Sequence, residues 1–468
     1  MNQSVKNLKL NYKRTCLIGF AFFGILLLWQ VYDTWCPLLL TNALTAKYPG
    51  KSDLDVQWVV GIIMALDNIA ALALLPIFGR LSDKTKTPIG KRMPYILIGT
   101  IVVAMVFPFI PLFFTKDNLV GMIACMGVVL VAMMMYRNPA VALMPDITPK
   151  PLRAKANGII NIMGYFGGAF AAVLGIVWSL SDYLDDRTNG NPLIAILPFI
   201  FASILMIISA IVLFFTIKEN KLAEELKEDM ELGEQMAAIE DKVEDDKPLT
   251  KANKKMLYAI LAAEFLWFMA ENAVSTFLSN YVYYYLWGPF KLGIILTVVG
   301  GVGSVVGFAI AGGIAEKIGR KWTITLGLTI TLVGYLLFCF VRQTVDPSAG
   351  ETARLTSIPA LLYAVYLIKG FGMSLVHNCS FPMVVELATQ KTIGKFTGHY
   401  YTASMAAQTL TPILLGFILM KTAKWEVLPF YATVLIAGSL VVFGLLVKNI
   451  KATKVANVKG LEALGQDD

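Results

Sequence analysis

Charged side chains are scarce in this chain. They make up 15% of the 468 residues, while 57% are hydrophobic, and soluble domains carry roughly a quarter charged residues. This composition excludes an ordinary soluble fold. The net charge of +8 is then best understood as a signal for membrane orientation, and we expect no binding to nucleic acid.

Cysteine and histidine are also rare. The chain has two histidines and five cysteines, and the cysteines fall in or beside apolar runs without paired spacing, which indicates neither a disulfide framework nor a metal site. No nucleophile, base or metal ligands occur in a catalytic pattern. We therefore expect no enzyme activity, no metal and no cofactor.

Long apolar runs are what the chain has instead. A run of roughly 20 residues can cross a bilayer as a helix. Twelve such runs are present, at 15–40, 56–79, 95–114, 119–143, 156–180, 192–216, 257–287, 290–314, 322–341, 358–385, 396–420 and 428–447. The predicted fold class is an all-α membrane protein with twelve transmembrane helices.

A charged stretch divides these runs into six and six. The predicted domains are an N-terminal six-helix bundle at 1–216, a cytoplasmic charged linker at 217–256, a C-terminal six-helix bundle at 257–450 and a cytoplasmic tail at 451–468. We interpret the linker as a solvated connector, with a partner-binding role left open. Most of the 40 lysines and arginines lie in the termini and in the loops after even-numbered spans. Positive loops stay cytoplasmic, so both termini are predicted to be cytoplasmic.

A loop motif occurs twice, once in each half. Residues 79–92 read Gly-Arg-Leu-Ser-Asp and, after an insertion, Gly-Lys-Arg; residues 312–321 read Gly-Gly-Ile-Ala-Glu-Lys-Ile-Gly-Arg-Lys. A second pair, at 146–158 and 386–398, shares an acid followed by lysine at plus nine and glycine at plus twelve. Two pairs at nearly the same spacing indicate a structural repeat.

Twelve spans in two like-oriented halves, with these acidic and basic loops, resemble the major facilitator superfamily. The insertion in the first copy, together with residues 90–99 and 137–146, is similar to the glycoside-pentoside-hexuronide:cation symporters and the related disaccharide/proton symporters. The resemblance implies a cytoplasmic latch that closes the cytoplasmic side when the carrier opens outward; the alternative is that its charges only anchor loops and set topology. The implied latch residues are Asp83, Arg92, Asp146, Glu316, Arg320 and Glu386.

Ionisable residues inside spans are a sharper signal, because each costs roughly 2.5 kcal/mol or more at mid-bilayer and usually faces a partner or water. In the N-terminal half we assign cation coupling to Asp67 and Arg137, which the span positions place at similar depth, and to Asp33. The alternative for Asp67 and Arg137 is a permanent buried bridge. Asn68 and Asn138 lie beside them as hydrogen-bonding groups. In the symporter families a carboxylate in this half carries the cation.

Asp33 is flanked by Tyr32 and Trp35, and this combination suits a sugar, which presents apolar C–H faces and hydroxyl edges. The alternative is an aromatic belt at the membrane interface, which is also our interpretation of the tyrosine run at 281–285.

The C-terminal half carries a comparable set of polar residues. Glu264, Trp267 and Glu271 share one helical face at i, i+3 and i+7. We predict a cavity stripe there, with Lys369 as partner for one glutamate; a purely structural pair of Glu264 and Lys369 is the alternative. The remaining substrate-binding candidates are Asn272, His377 and Asn378, although a lone histidine is more often a packing residue.

These observations predict a secondary active transporter that imports a sugar, a disaccharide or another glycoside, with protons by alternating access. Only one carboxylate remains of the acidic pair that melibiose-type carriers show in span 2, which favours protons over sodium. The alternatives are a sodium-coupled symporter, an exporter of another polar solute, and a non-transporting membrane sensor. We expect a monomer in the plasma (inner) membrane, with the sugar and the lipid bilayer as its partners.

Overall fold

Among the residues that the structure describes, twelve helices are long and apolar enough to cross a membrane. The computed structural model describes residues 8–241, 251–342, 345–346, 348–387 and 393–448. The helices are α1 (Tyr12–Lys47), α2 (Asp53–Lys84), α3 (Met93–Thr115), α4 (Leu119–Asp146), α5 (Arg153–Val177), α6 (Leu193–Thr216), α7 (Lys251–Asn280), α8 (Phe290–Ile318), α9 (Arg320–Phe338), α10 (Ala360–Val385), α11 (Ile393–Thr422) and α12 (Val427–Leu446). The prediction of twelve spanning helices is confirmed.

Helix boundaries follow local signals in the sequence. Ser52 and Asp55 form a capping box at the start of α2, in which each side chain bonds the other residue's backbone N–H, and this satisfies donors that a helix start leaves open. The predicted fifth span runs to residue 180, but α5 ends at Val177 and a short helix, Ser181–Leu184, follows it. The predicted C-terminal bundle begins at 257, whereas α7 already begins at Lys251.

The two halves repeat the same packing. In the first, α1 packs on α5 and α6, while α4 packs on α2 and α3; in the second, α7 packs on α11 and α12, while α10 packs on α8 and α9. Each half has its own hydrophobic core. The expected pair of related six-helix bundles is therefore confirmed, and we call them the first bundle and the second bundle.

The connections form two faces. The even-numbered helices end at what we call the basic face, whose described connections are 85–92, 147–152, 217–241, 319 and 386–387. The odd-numbered helices end at the opposite face, whose described connections are 48–52, 116–118, 178–192, 281–289, 339–342, 345–346, 348–359 and 423–426. Because the number of crossings is even, α1 begins and α12 ends at the same face. The orientation predicted above makes the basic face cytoplasmic.

The start of the predicted linker packs on the first bundle. Two short helices, Glu219–Glu225 and Lys227–Asp241, follow α6, and Leu222 and Leu226 pack against the core of the first bundle. This part of the predicted linker therefore contacts the first bundle along one side, while most of its other side chains are exposed. Residues 242–250 and the tail at 451–468 lie outside the described residues.

The most extensive contacts between the bundles in the described residues are made by three helix pairs: α1 with α7, α2 with α11, and α5 with α8. The α2–α11 pair depends on two glycines, because a β-carbon at Gly61 would overlap the Pro412 carbonyl and one at Gly416 would overlap the Gln57 carbonyl. Such close approach is typical of small residues at membrane helix crossings. Both glycines lie in the part of the crossing nearest the opposite face.

Hydrogen bonds reinforce this junction. The fully buried Asn280 at the end of α7 donates to Thr41 Oγ1 of α1 at 2.9 Å and to Gln57 Oε1 of α2 at 3.1 Å. Trp425 Nε1 donates to Asp53 at 2.7 Å. These contacts join the bundles at the opposite face, so that face is closed in this conformation.

Candidate transport site

Asp33 faces the interior of the protein. Its helix, α1, is surrounded by α2, α4, α5, α6 and α7, and the neighbouring residues along it are mostly buried, yet the Asp33 side chain itself is accessible. The protein around Asp33 also desolvates it. Its accessible surface therefore opens onto internal space between the helices rather than onto lipid.

Asp67 of α2 lies within electrostatic range of Asp33. Its carboxylate accepts the backbone N–H of Asn68 at 2.5 Å and the side-chain amide of Asn68 at 2.9 Å. Arg137 of α4 attracts it from a longer distance. The alternative of a permanent bridge between Asp67 and Arg137 is therefore wrong for this conformation, since Asn68 is the direct partner of Asp67.

The Asn138 side chain makes a hydrogen bond that joins two helices. Its side-chain amide donates to the Leu75 carbonyl of α2 at 2.5 Å, and Gly79 leaves room for it, since a β-carbon there would lie 2.7 Å from Asn138 Nδ2. This amide ties α4 to α2. In this conformation it is occupied and does not present a free donor to a substrate.

The aromatic neighbours of Asp33 are core residues. Tyr32 is 0% exposed and Trp35 is 1% exposed. Trp35 packs edge-on against Phe290 of α8, with ring centroids 4.9 Å apart, and against Phe199 of α6 at 6.4 Å. Neither Tyr32 nor Trp35 presents a ring face to a sugar or to the membrane interface here. Both predicted roles are corrected to packing, which for Trp35 extends across the bundle boundary.

The second bundle holds a three-membered ionisable cluster. His377 Nε2 of α10 lies 2.8 Å from Glu271 Oε2 of α7, and Lys369 Nζ lies 4.0 Å from Glu271 Oε1. All three side chains are partly accessible, at 13–23%. The predicted pairing of Lys369 with a glutamate is confirmed, and the glutamate is Glu271. His377 is a bonded member of this cluster, and its ring also packs on Phe268, with centroids 5.4 Å apart.

The other substrate-binding candidates of the second bundle lie partly in its core and partly at accessible positions on its helices. Glu264 and Trp267 are both 0% exposed, and Trp267 packs on Phe443 of α12. Trp267 is therefore a core residue and not part of a cavity wall. Asn272 accepts a hydrogen bond from Thr276 at 3.5 Å, and Asn378 lies 4.0 Å from the Cys379 sulfur; both asparagines are partly accessible.

At the basic face, Arg92 connects the first copy of the repeated motif to the loop after α4. Its nearly buried guanidinium donates to Asp146 at 2.8 Å, to Asp83 at 2.5 Å and to Ser82 at 2.5 Å. Lys91 adds a second ion pair to Asp146 at 3.1 Å. Several charge-assisted bonds to one guanidinium hold these two loops firmly together.

The second copy makes the equivalent pair. Arg320 lies 2.8 Å from Glu386, whose side chain is 8% exposed. Burial raises the pKa of Glu386, although Arg320 opposes the shift. Glu316 is exposed at the surface. In both copies the acid after α4 or α10 pairs with the base after α2 or α8 of the same bundle, so in this conformation these pairs anchor loops within a bundle.

Glu219 binds the first copy of the repeated loop motif, and the sequence analysis did not identify this residue. Its carboxylate, only 3% exposed, accepts the backbone N–H groups of Arg92, at 2.9 and 3.2 Å, and of Met93, at 3.2 Å. A carboxylate at a helix start is favoured by the helix dipole, and here it caps α3. Gly90, at φ +119°, passes so close that a β-carbon would overlap Glu219. The sequence signal that could have identified Glu219 is an acidic residue shortly after the end of a spanning helix.

Comparison with known proteins agrees with this architecture. A family model described as MFS/sugar transport protein matches residues 17–419. The chain is 26% identical over 376 residues to the tetracycline resistance protein, class H, of Pasteurella multocida, covering 78% of this chain and 81% of that protein. It is 24% identical over 347 residues to the lactose permease of Lactobacillus helveticus, covering 69% of this chain and only 50% of that protein.

Solved structures show the same fold at low sequence identity. The nucleoside transporter NupG matches with a TM-score of 0.64 and 14% identity, covering 94% of this chain and 100% of that chain. The xylose transporter XylE of E. coli, in a partially occluded inward open conformation, matches with a TM-score of 0.63 and 12% identity, covering 95% of this chain and 100% of that chain. The protein is thus a multi-pass integral membrane transporter and not an enzyme, and it belongs to the MFS/sugar transport family.

Proposed function

We propose that this chain imports a disaccharide or another glycoside together with protons, by alternating access, as a monomer in the plasma membrane. The observation that carries the proposal is that Asp33 of α1 and Asp67 of α2 lie within electrostatic range of each other in the first bundle. Two carboxylates that close together repel one another, and a single proton relieves the repulsion. A proton taken up there would change the attraction between Asp67 and Arg137.

The second bundle supplies polar groups for a sugar. Glu271, Lys369 and His377 form a partly accessible cluster, with Asn272 and Asn378 near them on the same two helices. Carboxylate, imidazole and amide groups suit the hydroxyl edge of a sugar. A proton site in one bundle and a sugar site in the other would couple the two ligands when the bundles move around them.

The test is uptake of labelled glycosides into proteoliposomes under an imposed pH gradient, with and without sodium. We expect gradient-driven accumulation that needs no sodium. Asp67→Asn should abolish accumulation while leaving sugar exchange intact, because the amide keeps the shape and loses the titration. Asp186→Asn, the same substitution at an exposed position of the opposite face, serves as the matched control. Gradient-independent uptake, or equal coupling in wild type and Asp67→Asn, refutes the proposal.

Sodium coupling is the second candidate, and one observation favours it. In the fold Asp33 lies within electrostatic range of Asp67, so this region holds two carboxylates, and sodium needs several oxygen ligands. Sodium-dependent uptake without a pH gradient would support this candidate. Accumulation of the solute only in vesicles with the opposite pH gradient would instead identify an exporter. That outcome would agree with the similarity to a tetracycline resistance protein.

A further inference from the structure

The segment at 179–185, between α5 and α6, reaches from the first bundle onto the second at the opposite face. It contains the short helix Ser181–Leu184. Ser181 Oγ accepts the backbone N–H of Phe290 at 2.5 Å. Phe290 is the first residue of α8, where a helix leaves its N–H groups without intrahelical partners. The segment therefore supplies a partner to the start of a helix in the other bundle.

Asp185 makes the strongest contacts of this segment. One carboxylate oxygen accepts the Tyr283 hydroxyl at 3.0 Å, and the other forms an ion pair with Arg354. Both donors belong to the second bundle. The Arg354 side chain is 7% exposed and the Asp185 side chain is 39% exposed, so solvent screens this charge-assisted pair from the Asp185 side. Tyr283 thus has a polar role at the bundle boundary, and its interpretation as a membrane-belt residue is corrected.

The helix that carries Arg354 is itself anchored to the second bundle. Glu351, at its start, lies 3.2 Å from Lys291 of α8, and it also interacts with Ser179 and Asp182 of the segment. Lys291 therefore holds the start of the Arg354 helix on α8 of the second bundle, and the Asp185–Arg354 pair joins that helix to the first bundle.

We propose that Asp185 and Arg354 form a latch at the opposite face, beside the contacts of Asn280 and Trp425, and that this pair must break each time that face opens. The proposal rests on the alternating access of the proposed function. The ion pairs of Arg92 and Arg320 at the basic face lie within single bundles, whereas the Asp185–Arg354 pair crosses the bundle boundary. Asp185 is a positioning residue: it sets the balance between closed and open states without touching the sugar.

The test measures the distance between spin labels across the opposite face, at Lys116→Cys in the first bundle and Lys424→Cys in the second, in a background without the five native cysteines. Both positions are exposed. Arg354→Gln and Asp185→Asn should each move the population toward longer distances, by roughly tenfold in the ratio of open to closed protein. Tyr283→Phe should raise the same ratio of open to closed protein by a smaller factor.

A matched control exists at the same face. Arg187 pairs with Asp117 at 2.8 Å inside the first bundle, so Arg187→Gln removes an ion pair that does not cross the boundary and should leave the distances unchanged. The charge swap Asp185→Arg with Arg354→Asp should restore the short distance, which a merely structural role would not do. Unchanged distances in both single variants, or no rescue by the swap, overturn the latch. Because the distance measurement requires no transported sugar, its result does not depend on whether the proposed substrate is correct.

Discussion

At the scale of single residues, Glu386 depends on one counter-charge. Its pKa is raised by burial and is kept from rising further by Arg320. In Arg320→Gln the carboxyl will therefore prefer its neutral form more strongly in the folded protein. Stability should be nearly that of wild type below the usual glutamate pKa, and should fall as pH rises through the raised folded pKa. We expect a loss of about 1–3 kcal/mol at pH 8.

Thermal unfolding in detergent at low and high pH measures this difference. Lys317→Gln removes an exposed base from the end of α8 near the same loop and should change stability little at either pH. An equal loss in Arg320→Gln at both pH values would show that the ionised state of Glu386 is not the cause.

Sequence reasoning found the ionisable residues but not their neighbours. The span positions of Asp33 and Asp67 predict that both lie within the membrane, while their proximity depends on how α1 packs on α2. The i, i+3, i+7 spacing around Trp267 defines a helical face correctly, yet it does not say whether a cavity or another helix covers that face. The same uncertainty explains why Tyr32 and Trp35 were expected at a sugar site and lie in the core.

At the scale of helices, the cap on α3 gives a sharp prediction. Glu219→Ala removes the carboxylate that accepts the N–H groups of Arg92 and Met93, and we expect a loss of about 1 kcal/mol. Glu224→Ala, at an exposed position of the same short helix, is the matched control. Thermal unfolding of the two variants makes the comparison, and equal midpoints would refute the capping role.

The α2–α11 crossing yields a second prediction at this scale. Gly61→Val places a side chain against the Pro412 carbonyl, so the opposite face should no longer close. Overpacking of about 1–3 kcal/mol corresponds to a loss of the closed state of about five- to 150-fold, and we expect the initial rate of sugar uptake to fall by a similar factor. Gly301→Val, where a β-carbon meets nothing within 4 Å, should keep wild-type uptake; a similar loss in both variants would point to general misfolding.

Helices were the most predictable elements, because twelve apolar runs of sufficient length leave little choice of structure in a bilayer. The repeated motif was predictable too, and its second glycine adopts positive φ in both copies, +119° at Gly90 and +85° at Gly319. The close approach of Gly61 and Gly416 to the other bundle was not predictable. Glycine in an apolar run signals a crossing, but the identity of the crossing partner depends on the fold.

At the scale of the whole molecule, two like bundles meet at one face. Contacts of α1 with α7, α2 with α11 and α5 with α8 relate the halves by approximate twofold symmetry, and Asn280, Trp425 and Asp185 join them at the opposite face. With the predicted orientation, this conformation is closed toward the outside. Rocking of one bundle against the other would open that face and expose the groups between them.

The most direct test of proton-coupled sugar import is the movement of the proton itself. Proteoliposomes with the carrier are suspended in weakly buffered medium without sodium, and external pH is recorded when a glycoside is added. We predict that the medium becomes more alkaline as the sugar enters, and that Asp67→Asn abolishes the change. Entry of a glycoside with no change in external pH would contradict the account.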